Sequence, residues 1–274
     1  MKAMVLQTPE KLVQEDIEEP SLEAGSTIVK ITHSGVCGTD LKIYQGGIPV
    51  DYPRIMGHEM IGDIAEVDGA QGVEVGSRVI IDPVIYCGQC YQCRRGQTQL
   101  CPTGAIFGRD RDGGFTEYMQ VPSDAIFSLP DNISGSTAPL IQVMTTCLHA
   151  QRLSDIFPGD SVVVLGLGVG GLLHVQLAKA RGAYPVIGIT RSPERRAMAE
   201  QLGADFTFAP DDDVNKQVLE LTNGVGADLV IESVGAVAVL EEAIKLARIG
   251  GKLLLFGIYT STELQLSLYQ LYFK

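Results

Sequence analysis

The sequence predicts an α/β protein in two parts, a mainly-β first half followed by a doubly wound parallel sheet. Three observations carry that reading. Short β-patterned runs bounded by Gly, Pro or Asp fill the first half, and buried-type Val/Leu runs alternate with helical segments in the second. A glycine-rich turn joins the first such run to the first such helix, as a parallel sheet with crossover helices requires.

In chain order, Ser26–Thr32, Met60–Val67, Arg78–Asp82 and Thr116–Pro122 read as strands of the first part. Ser161–Leu165 is a buried strand that feeds the glycine turn, and an apolar helix then runs to about Arg181, stopped by Gly182. Val186–Thr190 is the next strand. Ser192 caps a helix that has Pro193 at its first position and Gly203 at its end. Phe206–Phe208, Leu229–Ile231 and Lys252–Phe256 are further strands, with Ala238–Ala247 a helix between the last two. The chain breaks at Pro158-Gly159, so the expected domains are 1–152 and 153–274.

At 274 residues the chain accommodates two domains with separate cores. Hydrophobic residues at 45% and charged residues at 20% suit a globular protein. A net charge of −12 argues against nucleic acid or an anionic membrane as the main partner. The uncharged stretch Ser161–Ala178 contains Gly166, Gly168, Gly170 and Gly171, which makes it strand, loop and helix and not a membrane span. Met1 to Pro9 shows no export-signal pattern, so the expected location is the cytoplasm, where cysteines are thiols or metal ligands before they are disulfides.

Cys87, Cys90, Cys93 and Cys101 place four thiols in one short loop, with Gly88 and Gly96 to help its turns. Soft, clustered thiolates predict a tetrahedral structural zinc with no open position, which holds the loop and performs no chemistry. Cys101-Pro102 resembles the end of an iron–sulfur run, but the gap after Cys93 is too long for that pattern.

Gly166-Leu167-Gly168-Val169-Gly170-Gly171 supplies a G-x-G-x-x-G turn between a strand and a helix. In that context the glycines admit a pyrophosphate to the backbone, and the helix N-terminus faces its charge. The strand that usually ends in an acidic ribose-binding residue ends here in Ile189-Thr190-Arg191-Ser192, with Arg195 and Arg196 one turn on. With no carboxylate to repel a 2′-phosphate, and Arg191 able to hold one, NADP is expected before NAD. The bland alternative is a solvated helix start whose arginines pair with Glu194 and Glu200.

A further constellation is Gly35-Val36-Cys37-Gly38-Thr39-Asp40 with Gly57-His58-Glu59. Together with the four cysteines, Tyr52-Pro53, Gly113-Gly114-Phe115 and Pro158-Gly159-Asp160, it resembles the medium-chain zinc alcohol dehydrogenase family over the whole chain. The family's glycine pattern after the histidine is matched at Gly62 and shifted at Asp68-Gly69. The resemblance implies a GroES-like catalytic domain and a Rossmann nucleotide domain. It implies that Cys37 and His58 ligate a second, catalytic zinc, that Glu59 approaches the metal during exchange, and that Asp40 orients His58. Thr39 would contact the substrate oxygen and pass its proton outward. Zinc then lowers the pKa of a bound alcohol so that an alkoxide forms near neutral pH, and hydride leaves for the nicotinamide.

The family's third ligand is usually Cys or Glu, and Gln142 stands in its place, as in sugar-oxidising members. Gln142 ligates the zinc directly or acts through water. Cys147 is out of register for that role and reads as packing. Lys42 occupies the position of a proton-relay histidine, where it either shuttles a proton itself or, the favoured reading, stands as an exposed cation near the cofactor. On resemblance alone, Thr146, Val234 and Ile258 touch the nicotinamide end, alongside Val169 and Thr190 at the dinucleotide turns. The family also continues beyond Leu271–Lys274, implying a missing last strand, a missing return to the first domain, and a homodimer or homotetramer in the full-length form. The expected activity is oxidation of a primary or secondary alcohol, polyol or sugar. The non-enzymatic alternative is a truncated relic that binds zinc and NADP without turnover.

Overall fold

In a computed structural model, residues 1–68, 72–261 and 267–273 are described. Gly69, of the shifted glycine pattern, lies outside them. The chain forms two compact units, Met1–Gln142 and Val143–Lys274.

The first unit opens with a hairpin, β1 (Lys2–Thr8) and β2 (Lys11–Asp16), extended by β4 (Arg54–Ile55) into the three-stranded order β2-β1-β4. Its main sheet is built from β3 (Ser26–Gly35), β5 (Glu59–Val67), β6 (Arg78–Ile81), β9 (Tyr118–Pro122) and β10 (Ile126–Ser128) in the order β10-β6-β5-β3-β9. Every pairing in it is antiparallel. Alternation along these strands sends Val29, Met60, Ile64, Val79, Ile81, Met119 and Val121 into one core. A short helix α1 (Gly38–Tyr44) follows β3 directly. The small ladder β7 (Val84–Ile85) with β8 (Ala105–Ile106) closes the base of a loop that carries helix α2 (Tyr91–Arg94).

Helix α3 (Leu140–Ser154) contains the division between the units, and the Pro158-Gly159 break lies beyond its end. The second unit is a five-stranded parallel sheet of β11 (Val162–Leu165), β12 (Val186–Ile189), β13 (Phe206–Phe208), β14 (Ala227–Glu232) and β15 (Ala247–Leu255). Helices α4 (Val169–Ala180), α5 (Pro193–Gln201), α6 (Val214–Leu221) and α7 (Val237–Leu246) alternate with these strands, and α8 (Leu268–Phe273) follows them. The order β13-β12-β11-β14-β15 is doubly wound, with separate apolar clusters led by Val162, Val164 and Leu229 and by Val163, Leu165 and Val230. Alternate residues of the same strands feed the two clusters, which is why these strands read as uninterrupted apolar runs.

The mainly-β part and the doubly wound sheet are both present as expected. The last strand differs from its expected span. It starts at Ala247, paired with Ala227, and is interrupted by a register shift before Lys252 pairs with Leu229. Arg248-Ile249-Gly250-Gly251 therefore extends a strand that its glycines disguise. Among the described residues, no helix is long and apolar enough to cross a membrane.

Candidate metal and cofactor sites

The four-cysteine loop is shaped by its backbone. Cys90 is the N-cap of α2, its Sγ accepting the Cys93 N–H at 3.4 Å, while Cys87 Sγ accepts the Cys90 N–H at 3.3 Å. The sulfurs of Cys87 and Cys93, and of Cys90 and Cys101, lie 4.0 Å apart, and all four fall within 4.8 Å of one another. None is in a disulfide. Backbone N–H groups of Gln89 and Cys90 draw the Cys87 thiol down, and that of Cys87 draws Cys101 down to about 6. Burial and the Cys90 side chain push the Cys93 thiol up to about 12, so thiolate, the form a soft metal binds, is favoured at two of the four positions.

The second group forms where β3 ends and β5 begins. Gly35 and Glu59 are opposite each other in the ladder, and a Cβ at Gly35 would run into Glu59 Oε2. Only glycine leaves room there for the carboxylate. Cys37 is the N-cap of α1, so its thiol sits at the start of the helix. Asp40, buried in the first turn, accepts N–H bonds from Cys37 at 2.8 Å and Gly57 at 3.3 Å, and its Oδ1 lies 3.4 Å from His58 Nδ1. The ligand atoms of Cys37, His58 and Glu59 lie within 4.8 Å of one another.

Burial alone would push the His58 imidazole down, but hydrogen bonds and attraction from Asp40 and Cys37 carry it up to about 10. Burial raises the Glu59 carboxyl above the usual range. A thiol, an imidazole and a carboxylate brought this close, the last two buried, are a donor set of the kind that holds a metal cation. The segment is seated on Gly113-Gly114-Phe115, where Gly113 N–H bonds Ile55 O at 2.8 Å, Gly114 N–H bonds Gly57 O at 2.9 Å and Phe115 N–H bonds Met56 O at 2.9 Å. The family resemblance had singled out that glycine pair without showing what it supports.

Of the remaining expected residues in this unit, Thr39 is half-buried on the first turn of α1 and Gln142 half-buried on the first turn of α3. Lys42, expected as an exposed cation, is half-buried on the last turn of α1.

In the second unit the turn Gly166–Gly171 leaves the carboxyl end of β11. Gly166 has φ +89°, Gly168 is the N-cap of α4, and a Cβ at Gly171 would collide with Gly166 O. Val169 is exposed beside them. Beyond β12, Thr190 N–H is bonded to Phe208 O at 3.1 Å. Arg196 donates to the carbonyls of Thr190 at 2.7 Å and Arg191 at 3.2 Å, so it shapes this turn.

Arg191 and Arg195 are exposed, and among the described residues no ion pair engages either. The neighbouring carboxylates have other partners: Glu194 accepts Ser192 Oγ–H at 2.7 Å and Glu200 accepts Thr207 Oγ–H at 2.6 Å. Thr146 is exposed on α3 with its hydroxyl donating to Val143 O at 2.8 Å, and Cys147 is buried, as packing requires. Val234 and Ile258 are large apolar residues left 47% and 48% exposed on turns that leave β14 and β15. Sequence reasoning missed Glu232, fully buried between those turns, because a lone carboxylate at a strand end carries no spacing signal.

The chain matches two family models, the alcohol dehydrogenase GroES-like domain over residues 23–131 and the zinc-binding dehydrogenase over residues 168–274. It is 38% identical to an L-threonine 3-dehydrogenase of Pyrococcus horikoshii over 91% of this chain and 72% of that one. Among solved structures it is similar to one from Sinorhizobium meliloti described as a zinc-binding dehydrogenase bound to NADP. That likeness has a TM-score of 0.93 at 33% identity, over 99% of this chain and 81% of the other. An alcohol dehydrogenase of Escherichia coli CFT073 complexed with NADH aligns with a TM-score of 0.90 at 32% identity, over 99% and 80% of the two chains. Two matched domains in the observed order, and relatives similar across nearly the whole chain, place this protein in the zinc-dependent medium-chain alcohol dehydrogenase family.

Proposed function

We propose that this enzyme moves hydride between a primary or secondary alcohol, polyol or sugar and NADP(H), with NAD(H) the weaker cofactor, and that it holds two zinc ions per chain. The observation that carries the reading is the convergence of Cys37, His58 and Glu59 on one point. The donor set fits zinc: a thiol, an imidazole and a carboxylate, with Asp40 facing Nδ1 so that Nε2 is presented as the ligand. Cys37, His58 and Glu59 would hold the catalytic ion, with Gln142 directly or through water, and the four cysteines the structural one. When bound, zinc supplies Lewis acidity and the nicotinamide supplies the hydride acceptor.

The chain's own residues perform the remaining work. Thr39 takes the proton from the substrate hydroxyl and hands it outward. Asp40 fixes the tautomer of His58, and Gly35 leaves the space in which Glu59 stands. The glycine turn and the N-terminus of α4 receive the pyrophosphate. Arg191 and Arg195 meet a 2′-phosphate, supported by their exposure and by the partners that occupy Glu194 and Glu200. Thr146, Val234 and Ile258 meet the nicotinamide end.

The test is a panel of alcohols, polyols and sugars followed at the nicotinamide absorbance, with zinc measured in the same samples. Alcohol-dependent reduction of cofactor, abolished by Cys37→Ser together with loss of about half the zinc, is expected for one ligand of two such sites. Full zinc loading with no turnover of any substrate would instead favour a binding protein.

A further inference from the structure

The sheet order reverses between β11 and β14, because the chain runs outward through β12 and β13 before returning beside β11. Ligands of such sheets bind at the carboxyl ends of the strands flanking that reversal. There Leu165 and Glu232 are register partners, the first leading into the glycine turn and the second into Ser233-Val234-Gly235. The turns touch: a Cβ on Gly166 would fall 2.5 Å from Val234 Cγ2.

Glu232 is a fully buried carboxylate, and among the described residues no cation pairs with it. Its charge is met by donors from two separate turns. Oε1 accepts the N–H groups of Val234 at 2.7 Å and Gly235 at 3.0 Å, and Oε2 accepts the Tyr259 hydroxyl at 2.5 Å. The Glu232 carbonyl accepts Phe256 N–H at 2.8 Å and Gly257 N–H at 2.9 Å. The turns are packed backbone to backbone, since a Cβ on Gly235 would strike Ile258 O and one on Gly257 would strike Gly235 N.

We propose that Glu232 and Tyr259 form a clamp that locks the turn after β14 to the turn after β15 and so positions the nicotinamide half of the dinucleotide. The proposal rests on the reading that Val234 and Ile258 meet that half. Glu232 is a positioning residue, because the hydrogen bonds of its carboxylate go to the two turns. Burial and Glu232 push the Tyr259 hydroxyl above its usual range, which keeps it a donor. The half-exposed Val234 and Ile258 side chains then form the edge of an apolar ledge at the crevice, suited to a flat aromatic ring. Ordering that ledge before the cofactor arrives spares binding the cost of ordering it afterwards.

Tyr259→Phe cuts the link and leaves the first turn's bonds to Glu232 in place. Binding of NADPH and NADH should weaken by about 10-fold, as expected for a lost hydrogen bond to a charged group. Binding of ADP-ribose and its 2′-phosphate, which lack the nicotinamide, should stay within about twofold, inside the range of an untouched contact. Equal weakening of both ligand classes, or of neither, overturns the clamp. Val234→Ala, measured alongside, separates this from the underlying reading. If it also weakens only the nicotinamide-bearing ligands, that reading stands and Tyr259→Phe alone judges the clamp. If it shows no such selectivity, the ledge does not meet nicotinamide, and the reading and the clamp fall together. Glu232→Gln, whose amide can still accept the Val234 N–H and donate to the Tyr259 oxygen, should restore most of the affinity lost in Glu232→Ala. Equal losses in the two variants count against the clamp.

Discussion

Asp40 accepts the N–H of Cys37 at 2.8 Å and that of Gly57 at 3.3 Å while facing His58 Nδ1 at 3.4 Å, so one side chain aligns both halves of the proposed ligand set. Asp40→Asn replaces one accepting oxygen by a donor that must oppose an N–H. Zinc affinity at this site should fall by about 10- to 100-fold, the usual cost of losing a partner of a metal-bound histidine. Chelator competition checks it, with the four-cysteine site remaining loaded as the internal control. An unchanged affinity would leave Asp40 without the role assigned to it. Cys37 and His58 were legible in the sequence through the family resemblance of the motifs that carry them. The need for glycine at position 35 was not, because it arises from a carboxylate on the neighbouring strand.

At the level of elements, α3 and α4 meet through a buried polar pair. Gln151 Nε2 donates to His174 O at 2.9 Å and lies 3.1 Å from His174 Nδ1, and the His174 ring packs edge-on against Phe256 at 4.5 Å. Burial pushes the His174 imidazole down to about 4. The folded state thus binds this proton less readily than the unfolded chain, whose imidazole titrates near 6.5. Its contribution is intact above about pH 6.5 and is lost as pH falls toward about 4, a difference of roughly 3 kcal/mol. Unfolding midpoints measured across that window should fall less steeply in His174→Gln than in the parent, and identical slopes would exclude His174 as the cause.

The four-cysteine loop is another self-contained element. It has no apolar core of its own, so Cys93→Ser should abolish its metal binding and open residues 87–101 to protease while the unit's main sheet persists. Limited proteolysis with mass mapping reads this directly, and protection equal to the parent's would mean that metal does not organise the loop.

For the molecule as a whole, the net charge of −12 sets a repulsive background for any dinucleotide, against which the turn after β12 is a local exception. Arg196 is committed to backbone carbonyls there, and Arg191 and Arg195 are exposed. Arg191→Ala should therefore lower the ratio of kcat/KM for NADP over NAD by roughly 10-fold or more, the scale of a charged hydrogen bond. A ratio that does not move, or a parent enzyme that strongly prefers NAD, would remove NADP from the proposal.

The sequence alone determined what rests on local chemistry: the four-cysteine spacing, the glycine turn between a β-branched run and a helix, and the alternation of buried strands with helices. Such signals survive because thiolate clustering, close backbone approach and hydrophobic period are written within a few residues of one another. It passed over α6, although Val214, Val218 and Leu221 recur at helical spacing, and it shortened β15 because Gly250 and Gly251 hide a strand. Tertiary structure decided the rest. It set Gly35 against Glu59, seated Gly57 on Gly113 and Gly114, and gave Glu232 its donors from two turns. Those relations depend on which strands become neighbours, and a buried carboxylate acquires its meaning only from the groups that folding brings to it.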